Sequence, residues 1–284
     1  MGDAQFRLVA LDIDGTVLNS NGEVTQELKS CLAELEAQSI RTVLCTGRRW
    51  RNSVLVAHEL ESAHPVVVCC GGALIKRADD ESTLYVDPMP EEFARLVVGL
   101  YREAGLVPLL LYDEPLSGRE LRIGQQDHDR ALGLPYIQAN AGCYDWYGGD
   151  YPGDGELPLE VYTMDGEARI RAGEGRVRAG VGRQGIVEAM YQTRYGPDQL
   201  AVEVHCASTT KWNALSWLLA EWGVGPDEVV AVGDDVNDIV MLRRAGLSFA
   251  MGNATAEVKA AADHVTGTND EHGVVLALQR AFRL

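Results

Sequence analysis

The feature that most restricts the fold is a repeated succession: a short, nearly all-apolar run, a polar turn bearing glycine, then residues at helical spacing. FRLVAL at 6–11 is followed by DIDGTVLNSNGEV and then by Leu28, Leu32 and Leu35, with Thr25 a suitable N-cap. IRTVLC at 40–45 precedes a helical pattern over Arg51–Leu60, and PVVVCC at 65–70 ends in Gly71 and Gly72. Strands that are apolar at every position are buried on both faces. Strand, helix, strand, helix, strand at this spacing predicts a parallel sheet with right-handed crossovers. The same grammar returns with a helix at Lys211–Trp222, EVVAVG at 228–233, a helix from Ile239, LSFAMG at 247–252, and helices at Ala256–Ala262 and Val274–Phe282. The expected class is α/β, a Rossmann-like parallel core with helices on both faces.

Between the two halves the texture changes. LVPLLLY at 106–112, LPLEVYTM at 157–164 and QLAVEVH at 199–205 read as strands, and Glu91–Glu103 and Gln184–Tyr195 as helices. This predicts an α+β domain at 84–205 inserted into a core made of 1–83 and 206–284. A length of 284 residues suits two domains. The acidic, aromatic stretch from Tyr144 to Tyr151 is either the lining of a pocket or a surface loop.

Acids outnumber bases by 42 to 25, a formal net charge of −17. That field repels nucleic acid and anionic membranes, which excludes both as expected partners. It also repels a phosphorylated substrate, so a phosphate site needs local cations. No run of about 18 apolar residues could span a bilayer, and no secretory pattern opens the chain. The expectation is a cytoplasmic protein. Its six cysteines lack metal-ligand spacing and read as small buried residues of a reducing compartment. The six histidines are dispersed, and none is assigned to catalysis.

Four short segments carry chemistry. In DIDGT at 12–16, Asp12 and Asp14 stand two apart, which on an extended chain points both to one side. They follow a strand, at the edge where parallel sheets bind ligands. Paired carboxylates need a cation or a shared proton, and Mg2+, which favours oxygen ligands, is the simplest neutraliser. TGR at 46–48 also follows a strand, and a hydroxyl on Thr46 beside a close-approaching backbone at Gly47 can grip phosphate. Lys211, one of four lysines, opens a helix where an anion is favoured. GDDVND at 233–238 crowds Asp234, Asp235 and Asp238 around Asn237 after a further buried strand. Alone, each segment is equally an ordinary turn, a surface lysine or a solvated acidic loop. Together and in this order they point to a phosphate site with a metal.

That order resembles the haloacid dehalogenase superfamily of phosphohydrolases over nearly the whole chain. LVALDIDGTVLN, VLCTGRR, TTKWNAL and VAVGDDVNDIVML look like its four motifs, and AMGNATAEVKAAADHVTGTNDEHGVV is similar to the C-terminal stretch of its Cof-type branch. The resemblance implies a Mg2+-dependent phosphatase acting on a small phosphorylated metabolite. It implies that Asp12 attacks phosphorus and forms an aspartyl-phosphate, and that Asp14 serves as acid and then base. It assigns the metal to Asp12, the Asp14 carbonyl, Asp234 and Asp238, and the phosphoryl oxygens to Thr46, Gly47, Lys211 and Asn237. The insert matches that branch's larger cap, which closes over the core and contacts the leaving group.

Two departures stand out. Gly71-Gly72-Ala73 replaces a usual Asn-Gly-Ala, removing a side-chain amide. Trp212 replaces a usual glycine and either packs against the linker to the cap or narrows the pocket. The rival readings are phosphoryl transfer to a sugar hydroxyl, as in related mutases, and a non-catalytic binding protein of the same fold. Oligomeric state leaves no mark on the sequence.

Overall fold

The computed structural model describes residues 6–62, 65–113, 119–190, 196 and 198–284. One unit, Met1–Val86 with Thr209–Leu284, begins with β1 (Leu8–Leu11), α1 (Gln26–Ala37), β2 (Arg41–Cys45), α2 (Trp50–Glu59), β3 (Val66–Cys69), β4 (Leu74–Arg77) and β5 (Thr83–Val86). A second unit, Asp87–Ser208, contains α3 (Glu91–Glu103), β6 (Leu109–Leu111), β7 (Leu121–Gly124), α4 (His128–Leu132), α5 (Pro135–Ala139), β8 (Tyr144–Tyr147), β9 (Glu160–Gly166), α6 (Glu167–Val181), β10 (Gly185–Met190) and β11 (Gln199–Cys206). The first unit is completed by α7 (Lys211–Trp222), β12 (Val229–Gly233), α8 (Ile239–Arg244), β13 (Leu247–Ala250), α9 (Ala256–Lys259), β14 (His264–Val265) and α10 (Gly273–Phe282).

In the first unit the strand order is β14-β13-β12-β1-β2-β3-β4-β5, parallel through β3 and antiparallel at β4 and β5. Strands β1, β3 and β12 are buried at every residue, as their unbroken apolar sequences require. Leu8 and Ala10 share an apolar cluster with Trp212, Leu215 and Leu219 of α7. Trp212 is therefore core packing. Deleting the Leu8 side chain would cost about 2–5 kcal/mol. Helix α1 buries Leu28, Cys31, Leu32 and Leu35 on one stripe, and the Thr25 hydroxyl accepts the Leu28 amide at 3.4 Å. The register pairs Leu11 with Leu44 on one side and Val232 on the other. Asp12, Thr46 and Asp234 thus leave their strands at one edge of the sheet.

The second unit is a six-stranded sheet, β10-β11-β9-β6-β7-β8, antiparallel except between β7 and β8. Its helices α3 and α6 pack closely. A Cβ on Gly180 would meet Leu100 at 2.4 Å, and one on Gly173 would meet Ala104 at 3.0 Å.

One expectation fails here, and another holds only in part. Gln184–Tyr195 does not form a helix: Gly185–Met190 is a strand along β11, with Glu188 opposite Glu203, and 191–195 lie outside the described residues. Cross-strand pairing overrides the helical preference of Glu188, Ala189 and Met190. The Tyr144–Tyr151 stretch is an exposed loop only over 148–150. It opens as β8, and Tyr147 and Tyr151 are buried in the unit's own core. None of the six cysteines is in a disulfide. Among the described residues, no helix is long and apolar enough to cross a membrane.

Candidate active site

Lys211 is the first residue of α7, whose N-cap Thr210 accepts the Asn213 amide at 3.1 Å. Its side chain is 2% exposed, and Nζ donates to Asp12 Oδ1 and to Asp238 Oδ1, each at 2.7 Å. The loop at Gly72 (φ +115°) lies against this helix start so closely that a Cβ would come within 2.2 Å of the Thr210 carbonyl. Glycine is needed there for both conformation and space.

Asp238 is fully buried, and its other oxygen, Oδ2, accepts the amides of Asp234 (3.0 Å) and Asp235 (3.1 Å). Asp235 itself is exposed and caps the next turn through Val236 N at 2.7 Å. Carboxylate oxygens of Asp12, Asp234 and Asp238 all lie within 4.8 Å of one another. These oxygens form a hard donor set of the kind Mg2+ takes.

Electrostatics bear on that fit. Burial pushes the Asp12 carboxyl well above its ordinary range, opposed by the Lys211 ammonium and reinforced by Asp238. Burial and the charges of Asp238 and Asp235 push Asp234 up to about 6. Burial alone would pull Lys211 down, but Asp12 and Asp238 outweigh it and keep the ammonium charged. With all three carboxylates ionised against one ammonium, two negative charges would stand uncompensated, which a divalent cation would match.

Thr46 is buried, and its hydroxyl accepts the Arg48 amide at 3.0 Å. Gly47 faces Asn237: a Cβ on the glycine would stand 3.9 Å from the amide nitrogen. The side-chain Oδ1 of Asn237 is buried without a hydrogen-bond partner among the described residues. Asp12, Lys211, Asp234, Asp238, Thr46, Gly47 and Asn237 therefore sit on neighbouring turns at one sheet edge.

Asp14 does not follow the expected convergence. Its side chain is 60% exposed and lies outside the three-acid cluster, paired with Arg48 through Nε (2.7 Å) and Nη2 (2.5 Å). The turn over Ile13–Val17 begins at Ile13, between the two acids, which breaks the two-residue alternation.

Three further side chains enter the site that the sequence reading had not singled out. Arg48 holds Asp14, Thr16 donates to Asp234 Oδ1 at 3.3 Å, and Asn253 Nδ2 stands 3.1 Å from Asp234 Oδ2. All three lie within segments quoted above, Asn253 in the stretch that opens AMGNAT, but none had been given a role.

A sequence profile described as haloacid dehalogenase-like hydrolase matches residues 9–116 and 189–278. The chain belongs to that family, in its Cof-type branch, and is a phosphoric monoester hydrolase. A Haemophilus influenzae relative with a provisional phosphatase name is 47% identical over 284 residues, covering 98% of each chain. A 5-amino-6-(5-phospho-D-ribitylamino)uracil phosphatase of Bacillus subtilis is 42% identical, covering 98% of this chain and 96% of its own. A solved haloacid dehalogenase-like hydrolase from Bacteroides thetaiotaomicron is similar at a TM-score of 0.73 and 27% identity, covering 97% of this chain and 99% of that one.

Proposed function

We propose that the chain is a Mg2+-dependent phosphatase that passes the phosphoryl group of a small metabolite to Asp12 and then to water. The carrying observation is the buried cluster of Asp12, Asp238 and Asp234 around the charged Lys211. In the first step an Asp12 oxygen forms the bond to phosphorus while the bond to the leaving oxygen breaks, and Asp14 gives that oxygen its proton. In the second, water attacks the aspartyl-phosphate, Asp14 takes its proton, and inorganic phosphate leaves. Lys211, Thr46, Gly47 and Asn237 hold the phosphoryl oxygens, which carry the charge in a loose transition state. Asp14 is gripped by Arg48, so it must change partners before it can act. Mg2+, held by Asp12, Asp234, Asp238 and the Asp14 carbonyl, would supply the charge that lets a carboxylate approach a phosphate.

The unit at Asp87–Ser208 is the proposed specificity domain. The 42% identical relative is named for a ribityl phosphate, a primary phosphomonoester on a polyol chain. Sugar and polyol phosphates are therefore the proposed substrate class. The test is phosphate release with Mg2+ from an aryl phosphate and from a panel of such esters. Wild type should turn over and Asp12→Asn should lose at least about a thousandfold in kcat. A variant as active as wild type would remove Asp12 from the chemistry.

A further inference from the structure

The side chain of Asn253, in the loop after β13, reaches three separate segments. Its Nδ2 donates to the Gly15 carbonyl at 2.9 Å and to Asp234 Oδ2 at 3.1 Å, while its Oδ1 accepts the Asn269 amide at 3.1 Å. On the other side of the same carboxylate, Thr16 Oγ1 donates to Asp234 Oδ1. Each Asp234 oxygen therefore has one neutral donor, and no cationic side chain is hydrogen-bonded to it among the described residues. Neutral donors fix the plane of a carboxylate without cancelling its charge. A guanidinium or ammonium in the same place would orient it equally well but would compete with a cation for it.

From this we infer that Asn253, with Thr16, is a positioning residue for the metal. It holds Asp234 rigid without cancelling its charge, and it ties that ligand to the turn that follows Asp12 and Asp14. The inference rests on the Mg2+-dependent reading above. The mechanism gives Asn253 no contact with substrate, so its effect must appear in metal affinity.

The Gly15 contact explains the geometry. A Cβ at Gly15 would fall 2.2 Å from Asp234 Oδ2 and 3.2 Å from Asn253 Nδ2. The three groups are packed against each other, so an error at one is passed directly to the others. Asn253 is itself exposed, so replacing it removes the two donations without opening a core cavity.

The experiment is a Mg2+ titration of wild type and Asn253→Ala, read as the rise in melting temperature and separately as phosphate release. Ligand positioners beside metal sites are worth about ten- to a hundredfold in affinity. The midpoint for Mg2+ should therefore move up by about tenfold or more, with the metal-free melting temperature unchanged. The KM for an aryl phosphate at saturating Mg2+ should stay within about twofold. Asn253→Asp, which keeps the shape but swaps a donor for a like charge, should shift the midpoint further. An unchanged midpoint in Asn253→Ala overturns the inference while leaving the phosphatase reading intact. A wild type that shows no Mg2+ shift overturns the metal reading itself, and the inference with it.

If the metal-free variant proves unstable, the same substitution made in an Asp234→Asn background decides the matter. Loss of the additional Mg2+ effect there shows that Asn253 acts through Asp234. A full, additive effect overturns it.

Discussion

Replacing Lys211 by methionine should destabilise the first unit in a way that tracks the charge of its partners. At 2.7 Å and an effective dielectric constant of about 20, the ammonium attracts each carboxylate by about 6 kcal/mol. Desolvation of three buried ions opposes most of that gain. Removing one partner leaves Asp12 and Asp238 buried without compensation, a change that costs about 3–5 kcal/mol. At about 2–4 °C per kcal/mol for a protein of this size, the melting temperature in EDTA at pH 8 should fall by about 6–20 °C. The sign with pH follows from Asp12, whose carboxyl burial already raises above its unfolded value. Without Lys211 the folded state holds protons there that the unfolded chain has lost, so the penalty grows as pH rises and shrinks as it falls. Adding Asp12→Asn to Lys211→Met should restore part of the loss by removing one stranded charge. The assay is thermal unfolding from pH 5 to 8 with and without Mg2+. A single variant that melts within about 2 °C of wild type in EDTA at pH 8 would refute the reasoning.

Gly15→Ala forces a positive φ on alanine and drives its Cβ into Asp234, so Mg2+-induced stabilisation should be lost, measured by the same melting shift. In the second unit His205 is buried with Nδ1 unpartnered among the described residues, and burial lowers its pKa, with Glu188 opposing. The unfolded chain takes up the proton first, so this contribution to stability is present above about pH 6.5 and is lost as pH falls below it. His205→Gln should show a flatter fall in stability between pH 7.5 and 5 than wild type, and equal slopes would remove His205 as the cause. Arg48→Lys replaces a two-point grip on Asp14 with one, and kcat should change while the Mg2+ midpoint does not, measured by phosphate release across Mg2+ concentrations.

Much of the core could be read from sequence because its signals are local and physically strong. Strands β1, β3 and β12 are apolar at every residue, and only burial on both faces tolerates that. Helix α6 carried no such signal. Gly173, Gly175 and Gly180 weaken helical propensity, and the reason for two of them, close packing on α3 and the turn after it, exists only in three dimensions. The strand β10 was hidden for the opposite reason, since Glu188, Ala189 and Met190 favour a helix until a partner strand fixes them. In the site, motif order brought out Asp12, Thr46, Lys211 and Asp234. Asn253 lies in the quoted C-terminal stretch, but an exposed asparagine in a loop declares nothing about its partner carbonyl 238 residues away.

The pentapeptide at 12–16 also shows why two identical side chains should not be assigned one environment. Asp12 continues the line of β1 into the interior, where a charged ammonium and two further acids surround it. The chain turns from Ile13 onward, and Asp14 is carried outward to a guanidinium within reach of water. In the proposed mechanism these surroundings match different tasks. A nucleophile gains from being held still, poor in water and close to positive charge. A group that must first give and later take a proton has to meet the leaving oxygen and then water, so it needs freedom to move. An exposed ion pair is weak enough to exchange for another partner, whereas a buried one is not. The contrast between Asp12 and Asp14 is thus a consequence of a turn that begins at Ile13, the residue between them. Straightening that turn would place two carboxylates side by side and give neither the surroundings its task requires.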